Sequence, residues 1–432
     1  MLLNKENRLT QASYYEASVN RPEQQASLRG DIDCNVCVVG GGYVGLSAAL
    51  ELAQRGYRVT LLEAQTIGWG ASGRNGGQAL VGFAGDSAVE AQLSSADAKR
   101  AWHLTVEGMQ LLRKRIADHA IDCDFVPGYL SAAVNPKKTK ELHDWVHHIE
   151  QQYDYHMQCI DAQTMPDWIA SARFNGGAYD PNSGHLHPLK YCLGLAQAAR
   201  DAGVTMYEKS PVTHVQRGQR PVVKTEHGTV RCDFVVLAGN VYLNEYGDAV
   251  APELDANIMP VGTYIVTTEP LGKARCDALI AKNAAVCDTN FVLDYFRPTA
   301  DHRMLFGGRV SYSTVTPPNL KAAMHKNLLR TFPQLGDVKV DYAWGGFVDI
   351  TMNRAPDFGR LDHNLYYLQG FSGHGLVLSG IAGQLVAETI AGQAERFDLL
   401  ARIKHNKFPG GSALRTPALV LGMLYYRLRD WL

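Results

Sequence analysis

Neither sign of charge dominates this chain: 42 lysines and arginines stand against 43 aspartates and glutamates, for a formal net charge of -1. That balance excludes the basic footprint of a nucleic-acid binder and gives no broad attraction to anionic lipid, so small neutral or zwitterionic partners are expected. Cysteine is also sparse, eight in 432 residues, which excludes the dense disulfide framework of a small secreted domain. The opening MLLNKENRLTQASYYEASVN has no apolar run of the signal-peptide kind, and a reducing cytoplasm is the expected compartment. Cys34 and Cys37 spell CxxC, but Cys37 belongs to an apolar strand, so packed structural thiols are expected. His185 and His187 lack a third ligand cluster, and no metal is expected. No internal repeat or low-complexity linker is visible. The last stretch, LRTPALVLGMLYYRLRDWL, is too short and too interrupted by arginine to span a bilayer. It is expected to pack against the body or a second subunit of a homodimer, in preference to lying on a membrane surface; a monomer is equally compatible with the sequence.

What the chain has is glycine, 41 residues, gathered at particular turns. Val36 to Val39 is a β-branched run that fits a buried parallel strand. Gly40, Gly42 and Gly45 follow it at the three spaced positions of a dinucleotide-binding turn. The first permits the tight turn, the second lets a pyrophosphate approach the backbone, and the third lets the helix sit close to the strand. Leu46 to Arg55 reads as that helix, and its N-terminus offers N–H groups to an anion. YRVTLLEA is the next strand, and Glu63 closes it about twenty residues after the turn, where a carboxylate can accept from both ribose hydroxyls.

Three later segments bear on which dinucleotide is held. GWGASGRNGGQAL, Gly68 to Leu80, is a second glycine-rich loop, able to place backbone N–H groups and Arg74 along an extended cofactor. Phe234 to Ala238, ending at Gly239, looks like another parallel strand with its C-terminal end at the ligand crevice. LYYLQGFSGHGLVLSGIAGQLVAETIAG repeats strand, glycine turn and helix, with Gly370, Gly373 and Gly375 in the turn. The helix from Leu376 to Ile390 would aim its positive end at whatever covers that turn. Reduced flavin carries negative charge that suits such a helix end, and NAD has no such need. His374 can serve as a base, or as a helix-start histidine bonded to backbone beside the flavin. The stretches Asp97 to His119 and KKTKELHDWVHHIEQQY read as helices, the first with Ala101, Leu104, Met109 and Leu112 on its apolar face.

In this order the segments resemble the D-amino-acid-oxidase superfamily of FAD enzymes, which includes sarcosine, glycine and amine oxidoreductases. The glycine motifs are superfamily-wide; ASGRNGGQ, LDYFRPTAD and the FPGG tail are narrower and resemble its members acting on γ-glutamylated polyamines. The resemblance implies an α/β fold: a Rossmann-like FAD-binding domain of residues 31–90, 156–245 and 341–432, interleaved with an α+β substrate domain on a mostly antiparallel sheet of residues 91–155 and 246–340. Residues 1–30 would form an N-terminal extension. FAD is implied to contact Gly40, Gly42, Tyr43, Val44 and Gly45 at the pyrophosphate, Glu63 and Ala64 at the ribose, and Val212 near the adenine. Gly70, Ala71, Ser72, Arg74, Asn75, Gly76, Gly77 and Gln78 would run along its middle, with Ala238 and Gly239 at the crevice. Gly373, His374, Gly375 and Leu376 would lie by the isoalloxazine. Relatives that attach FAD covalently use a cysteine or histidine that GGFVDITMNRAP and GASGR lack, so FAD is expected to be non-covalent. The lysine under the flavin of oxygen-reactive relatives is missing from RMLFGG, which leaves oxygen or another electron acceptor open; Arg303 or His302 is a substitute charge.

The implied reaction is oxidation of a small-molecule primary amine to an aldehyde with release of ammonia, by hydride transfer to flavin and reoxidation by oxygen. A protonated amine has no lone pair to expel the hydride, so an aromatic-lined site favouring the neutral form is expected. Tyr295, Phe296, Trp344 and Phe371 are the lining candidates, with core the preferred reading for Phe296 and Trp344. A γ-glutamyl group carries an α-carboxylate, for which arginine is the natural partner. Arg297 is the first choice, sharing a strand face with Tyr295, and Arg309 and Arg354 are the others. Two alternatives stand beside this reading: a D-amino-acid or N-methyl-amino-acid dehydrogenase passing electrons to a quinone, and a non-catalytic flavin-binding redox sensor.

Overall fold

Alternation along the buried strand Val36–Val39 explains the layering. Val36 and Val38 join the core beneath the helices, while Cys37 and Val39 join a second core on the opposite face. The computed structural model describes residues 3, 13–247, 250–308 and 319–408. Val36–Val39 lies within a six-stranded sheet in the order Asp357–Asp362, Leu365–Gln369, Phe234–Leu237, Val36–Val39, Val59–Leu62, Thr205–Tyr207. Neighbours are parallel throughout except at the Asp357–Asp362 edge. The helices Tyr43–Gln54, Ser95–Asp118, Pro188–Asp201 and Gly375–Ile390 cover one face. A four-stranded sheet built from Gly30–Asp33, Gly228–Arg231, Val222–Thr225 and Val212–Gln216 covers the other.

Because Val36–Val39, Phe234–Leu237 and Leu365–Gln369 run parallel side by side, their C-terminal ends share one edge. The turns that follow, at Gly40, Ala238–Gly239 and Gly370, therefore meet although the chain separates them widely. Ser47 Oγ donates to Gly380 O at 2.7 Å, and a Cβ on Gly383 would stand 2.5 Å from Ala48 N. The two helices that leave these turns are thus in backbone contact.

A nine-stranded sheet forms the second unit, in the order Val340–Ile350, Met259–Thr268, Met304–Gly308, Tyr295–Pro298, Ala285–Asp288, Val126–Ala133, Gly176–His185, Gln78–Ala79, with Gln158–Ile160 paired to Gly176–His185. It is antiparallel except between Ala285–Asp288 and Val126–Ala133. Sheet membership differs from the expected segments: Gln78–Ala79, Gln158–Ile160, Gly176–His185 and all of Val340–Ile350 but its first residue, placed with the FAD-binding segments, are hydrogen-bonded into the large sheet. The helix Ser95–Asp118, placed with the substrate segments, packs through Ala101, Leu104, Met109 and Leu112 against Gly375–Ile390. Nor is the segment before residue 31 a mere extension. Tyr15 is fully buried and donates to Asn75 O at 2.8 Å, Tyr14 donates to Asp301 at 2.6 Å, and Gly30–Asp33 is a sheet strand. Arg309 and the apolar tail from Leu414 onward lie outside the described residues. Among the described residues, no helix is long and apolar enough to cross a membrane.

Candidate cofactor and substrate site

The first glycine turn is shaped by backbone approach. Gly40 has φ +114°, and a Cβ there would lie 2.6 Å from Ala238 O. A Cβ on Gly45 would lie 1.9 Å from Gly40 O, so only glycine lets the helix Tyr43–Gln54 start this close to its strand. Ser72 Oγ accepts from Tyr43 N at 3.0 Å, and a Cβ on Gly42 would meet that oxygen at 2.8 Å. The second glycine loop is thereby fastened across the start of the helix. Glu63 accepts from Gly41 N at 2.6 Å and from Gln65 N at 2.8 Å. Burial raises its pKa, against the pull of those two N–H groups. A dinucleotide fits this arrangement: a cradle that any Cβ would fill, at a helix N-terminus with orphan N–H groups, beside a fixed carboxylate.

Within GWGASGRNGGQAL the side chains divide. Asn75 is spent on its own loop: its Nδ2 donates to Ala71 O at 3.0 Å and Ser72 O at 3.1 Å, and its Oδ1 accepts from Gly77 N at 2.8 Å. It shapes the loop, and only its fold-back is available for a cofactor role. Gln78 Nε2 reaches the large sheet at Val286 O, 3.0 Å away. Arg74 lies 4.3 Å over the Trp69 ring, and its carbonyl accepts from Trp344 Nε1 at 3.0 Å. Trp344 and Phe296 are fully buried, Phe296 stacked on Phe306 with centroids 5.7 Å apart, so both are core. Tyr295 instead lays its ring against glycine backbone on two elements. A Cβ on Gly307 would meet it at 2.1 Å and one on Gly76 at 2.5 Å.

Arg297 shares the Tyr295 face of its strand, as expected, yet it is no carboxylate receptor. Its Nε donates to Gly76 O at 2.7 Å, and its Nη2 donates to Leu186 O at 2.9 Å and Tyr15 Oη at 3.3 Å. Nη1 serves Pro298 O at 3.2 Å and His185 Nδ1 at 3.4 Å. The guanidinium's five N–H groups all have protein acceptors, and none is left for substrate. His185 donates from Nε2 to Asn283 O at 2.7 Å, and burial, then Arg297, pushes its pKa down to about 3. Arg297→Lys should therefore lower stability by about 2–4 kcal/mol, since several buried carbonyls lose their donors. Apparent KM for an amine should stay within about twofold, because no substrate contact is removed. Urea titration and steady-state kinetics on one preparation check both.

Other residues singled out in the sequence are placed as follows. His187 caps the helix Pro188–Asp201 through Nδ1 and meets Ser18 Oγ at 3.0 Å. No group of three or more metal-capable side chains exists among the described residues. Arg303 is bound to Asp301 and Asp341 and to Thr268 O, so it does not supply a free charge. Val212 is buried at the start of a strand of the four-stranded sheet, while Ala64 and Gly70 are only partly covered.

The second turn is hung from a residue that the motif reading passed over. Asp349, 4% exposed at the end of the strand Val340–Ile350, accepts from Gly370 N at 2.5 Å and Phe371 N at 2.9 Å, both at Oδ2. Burial pushes its pKa up to about 6. The only sequence signal was an acidic residue inside the apolar run FVDI. Phe371 does not line a substrate space: it is buried against Phe358 at 5.5 Å and against Gly375. His374, half-buried, is the residue of this turn that borders open space inside the protein. It precedes the helix Gly375–Ile390, makes no side-chain cap, and lines a cavity of about 120 Å³. Burial, then Arg354, brings its pKa down to about 4. Around the same cavity stand Trp102, Tyr129, Trp145, Tyr155, Asp86 and Asp180. Aromatic rings thus line this cavity from the helix Ser95–Asp118 (Trp102), the strand Val126–Ala133 (Tyr129), the helix Pro136–Tyr153 (Trp145) and the residues just after it (Tyr155), while the strand Gly176–His185 contributes the carboxylate of Asp180.

Comparison with known proteins agrees with this geometry. Residues 35–389 match the family model described as DAO, FAD dependent oxidoreductase. The chain belongs to the FAD-dependent oxidoreductase (DAO) family. This DAO-family chain is 44% identical to gamma-glutamylputrescine oxidoreductase of Escherichia coli strain K12 over 97% of its length and 98% of that protein's. It is 39% identical to a probable oxidoreductase, OrdL, of Haemophilus influenzae over 97% of each chain. Among solved structures, glycine oxidase from Geobacillus kaustophilus superposes with a TM-score of 0.69 at 22% identity, over 83% of this chain and 95% of that one. The DAO-family chain is therefore an enzyme, an FAD-dependent oxidoreductase of mixed α/β fold with a Rossmann-like sheet.

Proposed function

We propose that this enzyme oxidises the primary amine of a γ-glutamylated diamine, γ-glutamylputrescine or a close relative, to an aldehyde with loss of ammonia. The observation that carries this reading is the cavity at His374: the turn that would face the redox ring opens onto a space walled by aromatic rings and two carboxylates, the chemistry that receives an amine. The near full-length likeness to a gamma-glutamylputrescine oxidoreductase supports it.

Gly40, Gly42 and Gly45, with the N–H groups of Tyr43 and Val44, would hold the pyrophosphate, and Glu63 the ribose. Gly373, Gly375 and Leu376 would present backbone to the pyrimidine edge. FAD, when bound there without a covalent link, supplies the hydride acceptor. The chain's own share is to position and desolvate. His374, with its pKa held to about 4, stays neutral through physiological pH and adds no cation beside the amine that must lose its proton. The rings of Trp102, Tyr129 and Tyr155 exclude water from the carbon to be oxidised. Oxygen is the proposed final acceptor.

Anaerobic mixing with γ-glutamylputrescine, putrescine, sarcosine and D-amino acids, followed by admission of air, tests this. The flavin absorbance should bleach with γ-glutamylputrescine at a rate at least about tenfold above the others, and return with air. Bleaching by sarcosine or a D-amino acid in its place would assign the enzyme to amino-acid substrates. No bleaching by any compound would leave a redox sensor.

A further inference from the structure

The second glycine loop takes its shape from outside itself. Gly76 and Gly77 form a glycine pair, the backbone with the most freedom to lose on ordering, yet four successive carbonyls around them are engaged. Arg74 O accepts from Trp344 Nε1 at 3.0 Å, Asn75 O from Tyr15 Oη at 2.8 Å, Gly76 O from Arg297 Nε at 2.7 Å and Gly77 O from Leu186 N at 2.8 Å. Trp344, Tyr15 and Arg297 are all buried. The amides divide differently: Arg74 N and Asn75 N donate to Ala71 O, and Gly77 N donates to Asn75 Oδ1. The N–H of Gly76, a half-buried residue beside the Tyr295 ring, has no acceptor among the described residues. Tyr15 stands apart from the other donors because it precedes residues 35–389, the part of the chain that the family model matches.

The segment that carries Tyr15 holds the loop at both ends. Arg21 Nη1 donates to Ile67 O at 2.9 Å, one residue before Gly68, and Tyr15 reaches Asn75. Tyr15 Oη also accepts from Arg297 Nη2 at 3.3 Å, and its ring lies 5.1 Å from Trp344 and 4.8 Å from His187. One side chain therefore links the donors of three neighbouring carbonyls. The segment is anchored in turn by Tyr14 on Asp301 and by Ser18 on His187. We infer that residues 13–21 form a clasp on this loop, with Tyr15 as a positioning residue: its hydroxyl fixes the backbone of residues 74–77 in the form that receives the middle of FAD. The clasp sets how tightly the cofactor is held, whichever amine is oxidised.

Tyr15→Phe keeps the ring against Trp344 and His187 and removes only the hydroxyl, which leaves Asn75 O without its donor and Arg297 Nη2 without one acceptor. Release of FAD from diluted holoenzyme, followed by flavin fluorescence, should give a dissociation constant about tenfold or more above wild type. The visible band of the flavin still bound should also shift. Tyr14→Phe is the control on the same helix: it removes the bond to Asp301 but none to the loop, and it should keep the wild-type constant and spectrum. Arg21→Met, at a half-buried position, removes the grip on Ile67 O and should raise the constant at least about threefold; it carries the test if Tyr15→Phe does not fold. A wild-type constant in Tyr15→Phe, or equal weakening in Tyr14→Phe and Tyr15→Phe, overturns the clasp, as does a wild-type constant in Arg21→Met. Because no substrate is added, these results are separate from the amine panel, whose failure counts against the reaction.

Discussion

Gly45→Ala should yield an apoprotein. The added Cβ would lie 1.9 Å from Gly40 O, a backbone atom that no side-chain rotation can move aside. The helix Tyr43–Gln54 must then back away from its strand, which withdraws the N–H groups at its start from the phosphate position. Overpacking at such a site costs about 3 kcal/mol, and bound flavin per protein should fall about tenfold or more. Gly56→Ala is the control. Its φ of +87° is also left-handed, but no atom lies within 4 Å of the added Cβ. It should cost about 1 kcal/mol and leave the flavin in place. Visible absorbance of the purified variants, with urea titrations, separates the two; a yellow Gly45→Ala protein would remove the close-packed turn from the account.

The second large effect is expected at Asp349. Asp349→Ala leaves the buried N–H groups of Gly370 and Phe371 without their acceptor, a loss of about 3 kcal/mol. It also releases the turn that places His374, so kcat should fall about 100-fold, the scale for small misplacement of reacting groups. Asp349→Asn keeps an oxygen and should recover most of the turnover. The two also differ from wild type in pH dependence. The folded protein holds the Asp349 proton to about pH 6, whereas the unfolded chain releases it near 3.8. Wild-type stability from this group is present below 3.8 and lost as pH rises through 6. Relative to Asp349→Asn, wild type should lose about 3 kcal/mol between pH 4 and pH 7. Equal slopes in urea titrations across that range would refute the assignment.

The two turns were legible in the sequence because their physics is local. Gly40, Gly42 and Gly45 sit within one strand and helix, and Glu63 follows on the next strand, so spacing alone carries the geometry. Arg297 was not legible in that way. Its partners Tyr15 and Gly76 lie 282 and 221 residues away, and a guanidinium on a strand looks the same whether it meets substrate or carbonyls. Gly176–His185 was missed as a strand because GGAYDPNSGH is full of turn formers, and pairing on both sides overrides that propensity. Trp102 was missed for the converse reason. On a helical wheel it is one more apolar position, and only its place on the cavity wall sets it apart.

The neighbour order of the six-stranded sheet also bears on biosynthesis. Val36–Val39 emerges from the ribosome early, Phe234–Leu237 must slot beside it much later, and Leu365–Gln369 docks last on the other side. The nascent chain can therefore close its phosphate turn before the other two strands exist, but it cannot complete the flavin-facing edge until Leu365–Gln369 has been made. Prematurely terminated products would keep an open sheet flank and lack the surface that makes the cofactor useful.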